Sequence, residues 1–226
     1  MIEGLTIKSG WLWLGFVVAL LHPIFVSVIG ALPFISPLFR LDDHAYFMNF
    51  WGTVVAAGWT VTLVVVACLR LSGVSVRAIG LQPPQPRFLL LLIVAALAFT
   101  AAIKLMPVHV PAEKLPVLPS LPWTHSDRWF MLLVVAPTAA ICEETIYRGL
   151  LLRFLATLIG LWPAMIVQAL LFAYMHGGIR QPLFLFANGS ILGFLLALLV
   201  NWRGDLRAAM SIHFLIDALQ FSLIPS

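Results

Sequence analysis

Charge inside an apolar run is costly, and this sequence places Glu143, Glu144 and Arg148 in the stretch Ile141-Cys142-Glu143-Glu144-Thr145-Ile146-Tyr147-Arg148-Gly149. The flanking stretches, 129–137 and 150–158, both read as membrane-spanning. A charge at the centre of a membrane helix costs about 2.5–3.5 kcal/mol on the insertion scale, so three facing lipid would cost roughly 7–10 kcal/mol. They are expected to face the protein interior and to find partners there. Glu144 and Arg148 stand at i,i+4 with the acid first, the favourable order on a helix. Pairing them leaves Glu143, about 100° around the helix, for other work, with Tyr147 on its side. A buried carboxylate without chemistry is poorly tolerated, so Glu143 is the first candidate for a general base.

Two further pairs at the same spacing follow, Phe172 with His176 and His213 with Asp217. Taken singly, each histidine reads as a polar cap or an interhelical hydrogen bond. Taken together, one carboxylate and two imidazoles from three segments form a base and oxyanion constellation, and with Asp217 the same set could hold Zn²⁺. Asn188, inside a later apolar segment, is expected to hydrogen-bond across helices first and to support the site second. His22, His44, His109 and His125 lie in a kink or in loops and read as structural or solvated.

The elements that must position these residues are apolar helices. The chain has 226 residues, 62% of them hydrophobic and 10% charged, against about 25% charged in soluble domains. Continuous apolar runs argue against an outer-membrane barrel. The expectation is an all-α, polytopic transmembrane helix bundle in one domain, 1–226, with about seven membrane segments: 11–32, 46–69, 88–106, 128–158, 162–176, 183–200 and 206–223. The catalytic core falls in the last four. His22-Pro23 should kink the first segment, and Gly177-Gly178 with Pro182 should end the fifth at His176. Alternating sides with the N-terminus cytoplasmic puts eight basic residues inside and five outside, which favours that orientation. The net charge of +4 is thus topological, and no nucleic-acid partner is expected. Cys68 and Cys142 form neither a disulfide framework nor a CxxC knuckle. Most tryptophans fall near segment ends, as interfacial belts do.

At the polar residues the chain resembles the CAAX-protease and bacteriocin-processing family of intramembrane peptidases. The family is marked by EExxxR, FxxxH and HxxxN or HxxxD on successive helices. Here these are Glu143 to Arg148, Phe172 to His176, and His213 to Asp217, with Asn188-Gly189-Ser190-Ile191-Leu192-Gly193 and Gly204-Asp205-Leu206 also similar. The resemblance covers about 128–220, within a core of 128–223; the N-terminal helices, 11–106, carry no family mark. It implies a glutamic-type endopeptidase in which Glu143 and His176 activate water, His213 and position 217 stabilise the oxyanion, and Glu144 and Arg148 support the site. No cofactor and no metal are implied. The substrate would be a membrane-inserted or lipid-modified protein cut near its C-terminal hydrophobic segment, in the lipid bilayer of a prokaryotic cell membrane, for sorting or maturation. Family members related to the eukaryotic prenyl-protein peptidases have Asn where this chain has Asp217, and an ionised Asp cannot donate to an oxyanion, so Asp217 either stays protonated, coordinates a metal or, the favoured expectation, orients His213. Two alternatives remain open: a zinc-dependent metalloprotease using the same residues, and a non-enzymatic immunity or scaffold protein.

Overall fold

The computed structural model describes residues 5, 7–26, 28, 43–82, 90, 94, 124–176 and 183–222. These residues form helices and turns, with no strand among them. Helix α1 is Gly10–Leu20, α2 is Asp43–Leu71, and α3 is the continuous run His125–Ile159. Then come α4, Leu161–Met175, α5, Leu183–Arg203, and α6, Arg207–Ser222. A short 3₁₀ turn, Val76–Ile79, follows α2.

The expectation of about seven membrane segments is not met. Among the described residues, three helices are long and apolar enough to cross a membrane: Phe50–Leu71, His125–Ile159 and Phe186–Arg203. Apolar composition marks burial in lipid and burial in a bundle alike; the length of unbroken helix separates them. α1 has 11 residues, about 16 Å of rise, and α4 has 15, about 22 Å, against a hydrocarbon core of about 30 Å. α1 stops at a turn on Leu21, two residues before Pro23, where the kink was expected, and a further helical turn covers 22–26. α6 has 16 residues, among them Ser211, His213, Asp217 and Gln220. Of the segment expected over 88–106 only residues 90 and 94 are described, the loop expected over 107–127 is described from 124 on, where α3 already starts at 125, and the breaker cluster at 177–182 lies outside the described residues. Three spans of this kind make the chain an integral membrane protein.

Helix α3 contains two π turns, Met131–Val135 and Thr145–Leu151. Pro137 has no N–H to return to the preceding turn, and the first π turn lies just before it, closed by the Ala136 N–H donating to Met131 five residues back. The second is closed by Leu152 donating to Tyr147, and all seven of its residues are buried. α1, α2, the 3₁₀ turn and α4 pack around it. One core joins Leu12 of α1, Val61, Val65 and Leu69 of α2, Ile79, Ile146, Tyr147 and Phe154 of α3, and Phe172 of α4. Phe16 stacks on Phe154 at 4.2 Å. A second core joins Leu152, Met165, Leu196, Ala197, Val200 and Leu206. The outer faces stay apolar, with Leu63, Leu133, Trp162 and Ile191 more than half exposed, as lipid-facing surfaces are. Gly160, at φ +83°, makes the reversal between α3 and α4 that an L side chain would resist.

Candidate active site

α4 and α5 touch more closely than side chains allow. A Cβ on Gly193 would stand 3.1 Å from the Ala169 Cα and 3.3 Å from its carbonyl oxygen. The bare backbone lets the Gly193 carbonyl serve as an acceptor at the centre of the bundle. Arg148 donates to it from Nη2 at 3.2 Å, and Gln168 donates to it from Nε2 at 3.1 Å. Gln168 is fully buried and also donates to the Met165 carbonyl. Sequence reasoning missed Gln168, although an amide inside Ile166-Val167-Gln168-Ala169 was a visible signal, because buried glutamine is otherwise uncommon.

Arg148 is itself fully buried and holds three elements together. Its Nη1 lies 2.8 Å from Glu144 Oε1, one turn earlier on α3. Its guanidinium lies 4.1 Å above the Phe172 ring of α4, a cation–π distance. Breaking such a desolvated pair by removing one partner is strongly destabilising, since the other charge stays buried and unmet. Glu144 Oε1 meets a second group, Nδ1 of His213 on α6, also at 2.8 Å. That oxygen already accepts from Arg148, and a carboxylate oxygen donates nothing, so His213 carries the proton of this contact. Glu144 thereby fixes the ring and turns Nε2 of His213 towards Glu143 and Asp217.

Glu143 stands at the meeting point of three elements. Its Oε2 is buried and has no hydrogen-bond partner among the described residues. Nε2 of His176 lies 3.8 Å from it and Nε2 of His213 lies 3.7 Å from it. His176 caps α4, and its Nδ1 lies 2.9 Å from the Phe172 carbonyl, which only accepts, so Nε2 of the neutral ring is left as an acceptor. The Glu143–histidine gaps are too wide for direct hydrogen bonds. Phe172 sits between the imidazoles, 4.7 Å from His176 and 5.7 Å from His213.

Asp217 lies one turn beyond His213 with Oδ2 3.7 Å from Nε2, so the hydrogen bond that orients His213 comes from Glu144. Tyr147 packs edge-on to Phe172 at 5.4 Å. Asn188 is exposed on α5, and its side chain makes no hydrogen bond to another described residue. Glu143, Glu144, Arg148, Phe172, His176, His213 and Asp217 thus share one cluster. Among the described residues, no group of three or more His, Cys, Asp or Glu is arranged to hold a metal ion.

A family profile described as type II CAAX prenyl endopeptidase Rce1-like matches residues 125–219, which include the whole cluster. An uncharacterized protein of Bacillus subtilis (strain 168), YpbD, is 39% identical over 80 residues, 35% of this chain and 38% of that relative. The chain thus spans well under half of the relative's length. No solved structure matches. Through residues 125–219, which run from the first turn of α3 to the His213–Asp217 pair on α6, the chain is similar to the Rce1-like type II CAAX prenyl endopeptidases.

Proposed function

We propose that this chain is a glutamic-type intramembrane endopeptidase that cuts a membrane protein near a hydrophobic or lipid-modified C-terminal segment. The observation that carries the reading is the open junction at Glu143, where a buried, unpartnered carboxylate oxygen faces an acceptor nitrogen of His176 at 3.8 Å. Two acceptors at that separation suit a single water, which donates one hydrogen to each and keeps a lone pair for attack. The water oxygen bonds to the scissile carbonyl carbon while Glu143 takes its proton. His213, held cationic between Glu144 and Asp217, donates from Nε2 to the oxyanion. Collapse breaks the C–N bond, and the proton passes from Glu143 to the leaving amine. Glu144 and Arg148 position His213, and Asp217 favours its protonated form. Phe172 walls the junction between the two rings. Each step uses this chain's own side chains.

The apolar outer faces of α3, α4 and α5 suit a substrate that arrives laterally through the bilayer. Lys8, Arg70, Arg77, Arg203 and Arg207 gather at one end of the bundle, which we assign to the cytoplasmic side, with the N-terminus there. Comparing C-terminally processed membrane proteins in cells with the wild type and with Glu143→Ala tests the reading. Products expected with the wild type are absent with the variant; identical processing in both would sink it.

A further inference from the structure

The first helix carries no family motif, yet it delivers one polar side chain to the neighbourhood of the cluster. His22, at the turn that follows α1, is 2% exposed. Its Nδ1 is buried without a hydrogen-bond partner among the described residues. Its ring meets the Tyr147 ring edge-on at 6.0 Å. The Tyr147 hydroxyl is likewise buried and unpartnered, on a residue with no exposed surface. Tyr147 in turn touches Phe172, and both it and His22 lie within electrostatic reach of the site, Tyr147 of Glu143 and His22 of His176. Glu143 Oε2, Tyr147 Oη and His22 Nδ1 are thus three buried polar atoms without a hydrogen-bond partner among the described residues, on side chains linked through Tyr147 by a ring contact and by charge.

Buried polar groups without partners are uncommon in native proteins and point to something absent that would satisfy them. A peptidase substrate supplies such a group. A scissile segment cannot be helical where it is cut, so its N–H and C=O groups enter an apolar bundle without partners of their own. Imidazole and phenol can each donate and accept, which matches an extended main chain that offers both. We infer that His22 and Tyr147 form a hydrogen-bonding subsite for the main chain of the substrate beside its scissile bond, so that the N-terminal helix completes the substrate site. This rests on the peptidase reading above. The Pro23 break favours it, because it ends α1 just where the imidazole turns inward.

The test uses the full chain in detergent micelles and a quenched-fluorescent peptide with an apolar C-terminal half, with kcat and KM measured separately. His22→Phe and Tyr147→Phe each raise KM about 3- to 10-fold, the worth of one net hydrogen bond, and leave kcat within about twofold. His22→Gln, which keeps a donor and an acceptor, restores KM to within about twofold of the wild type. In a Glu143→Gln background, where cleavage is not needed, His22→Phe weakens binding of the same peptide by the factor seen in KM. An unchanged KM and affinity in a His22→Phe protein of wild-type Tm overturns the subsite. So does a fall in kcat alone, which would mean that the pair holds water. Should His22→Phe fail to fold, the near-isosteric Tyr147→Phe decides by the same readouts. Wild-type cleavage by Glu143→Gln defeats the peptidase reading instead, and is distinct from every one of these results.

Discussion

At the scale of single residues, the two adjacent glutamates divide their work through geometry. Glu144 is spent on Arg148 and His213, both at 2.8 Å, while Glu143 has no partner at that distance. The two are therefore expected to fail differently. Glu143→Gln keeps shape and loses the proposed base, so cleavage of an apolar-tailed peptide is expected to fall by about 10²–10⁴-fold with Tm unchanged. Glu144→Ala strands a buried guanidinium, which costs about 3–5 kcal/mol, and thermal unfolding reads the loss directly. Asp205 offers a third contrast at the mouth of α6, where it accepts from the Arg207 N–H at 3.0 Å and from its guanidinium at 2.8 Å. Burial favours its neutral form, but the Arg207 hydrogen bonds and charge outweigh burial and hold the carboxyl below the usual carboxylate range. A depressed carboxyl adds stability above its unfolded pKa of about 3.9 and loses it as the pH falls through the lower folded value. Asp205→Ala should therefore lower stability at pH 7 by roughly 1 kcal/mol, as loss of a cap does. The gap to the parent, followed by Tm against pH, should close as the pH drops below about 4.

Among the helices, the decisive contact is the backbone-to-backbone approach of α4 and α5. Gly193→Ala forces a methyl group against the Ala169 main chain, which has no flexible end to move. The expected loss is about 1–3 kcal/mol, as for other overpacked cores, with a further loss of activity because the acceptor of Arg148 and Gln168 shifts. Tm and cleavage rate, measured together, check both. This element shows where the sequence was legible. Helical spacing alone put Glu144 opposite Arg148 and Phe172 one turn before His176, because those contacts are local. The His213–Glu144 bond joins residues 69 apart, and spacing says nothing about such a pair; it showed only the local neighbour, Asp217. The π turns were hidden for another reason, since Thr145–Leu151 has ordinary helix-forming residues and its widening comes from packing on all sides. The count of membrane segments failed because apolar composition does not report where a helix breaks.

For the molecule as a whole, two long-range bonds collect the chain's basic ends. The Leu206 N–H donates to the Gly80 carbonyl at 3.0 Å, joining the turn after α2 to the turn before α6. The Thr157 hydroxyl donates to the Leu5 carbonyl at 3.1 Å, tying Leu5, just ahead of α1, to the end of α3. A thiol placed by Ala78→Cys should then react with a membrane-impermeant maleimide in inverted vesicles and stay unreacted in intact cells; the reverse pattern overturns the cytoplasmic assignment. Cys68 and Cys142 are buried and should give little background. The Glu144–His213 bond has a consequence in time. A ribosome adding about 5–20 residues per second needs roughly 3–14 s to move from one partner to the other. Until α6 is made and docked, Glu144 has only its arginine and Glu143 faces one imidazole instead of two. On the proposed peptidase reading, a nascent chain threading through the insertion machinery, surrounded by other apolar segments, thus lacks a complete cutting centre, and cleavage of its neighbours waits until its own synthesis has reached α6.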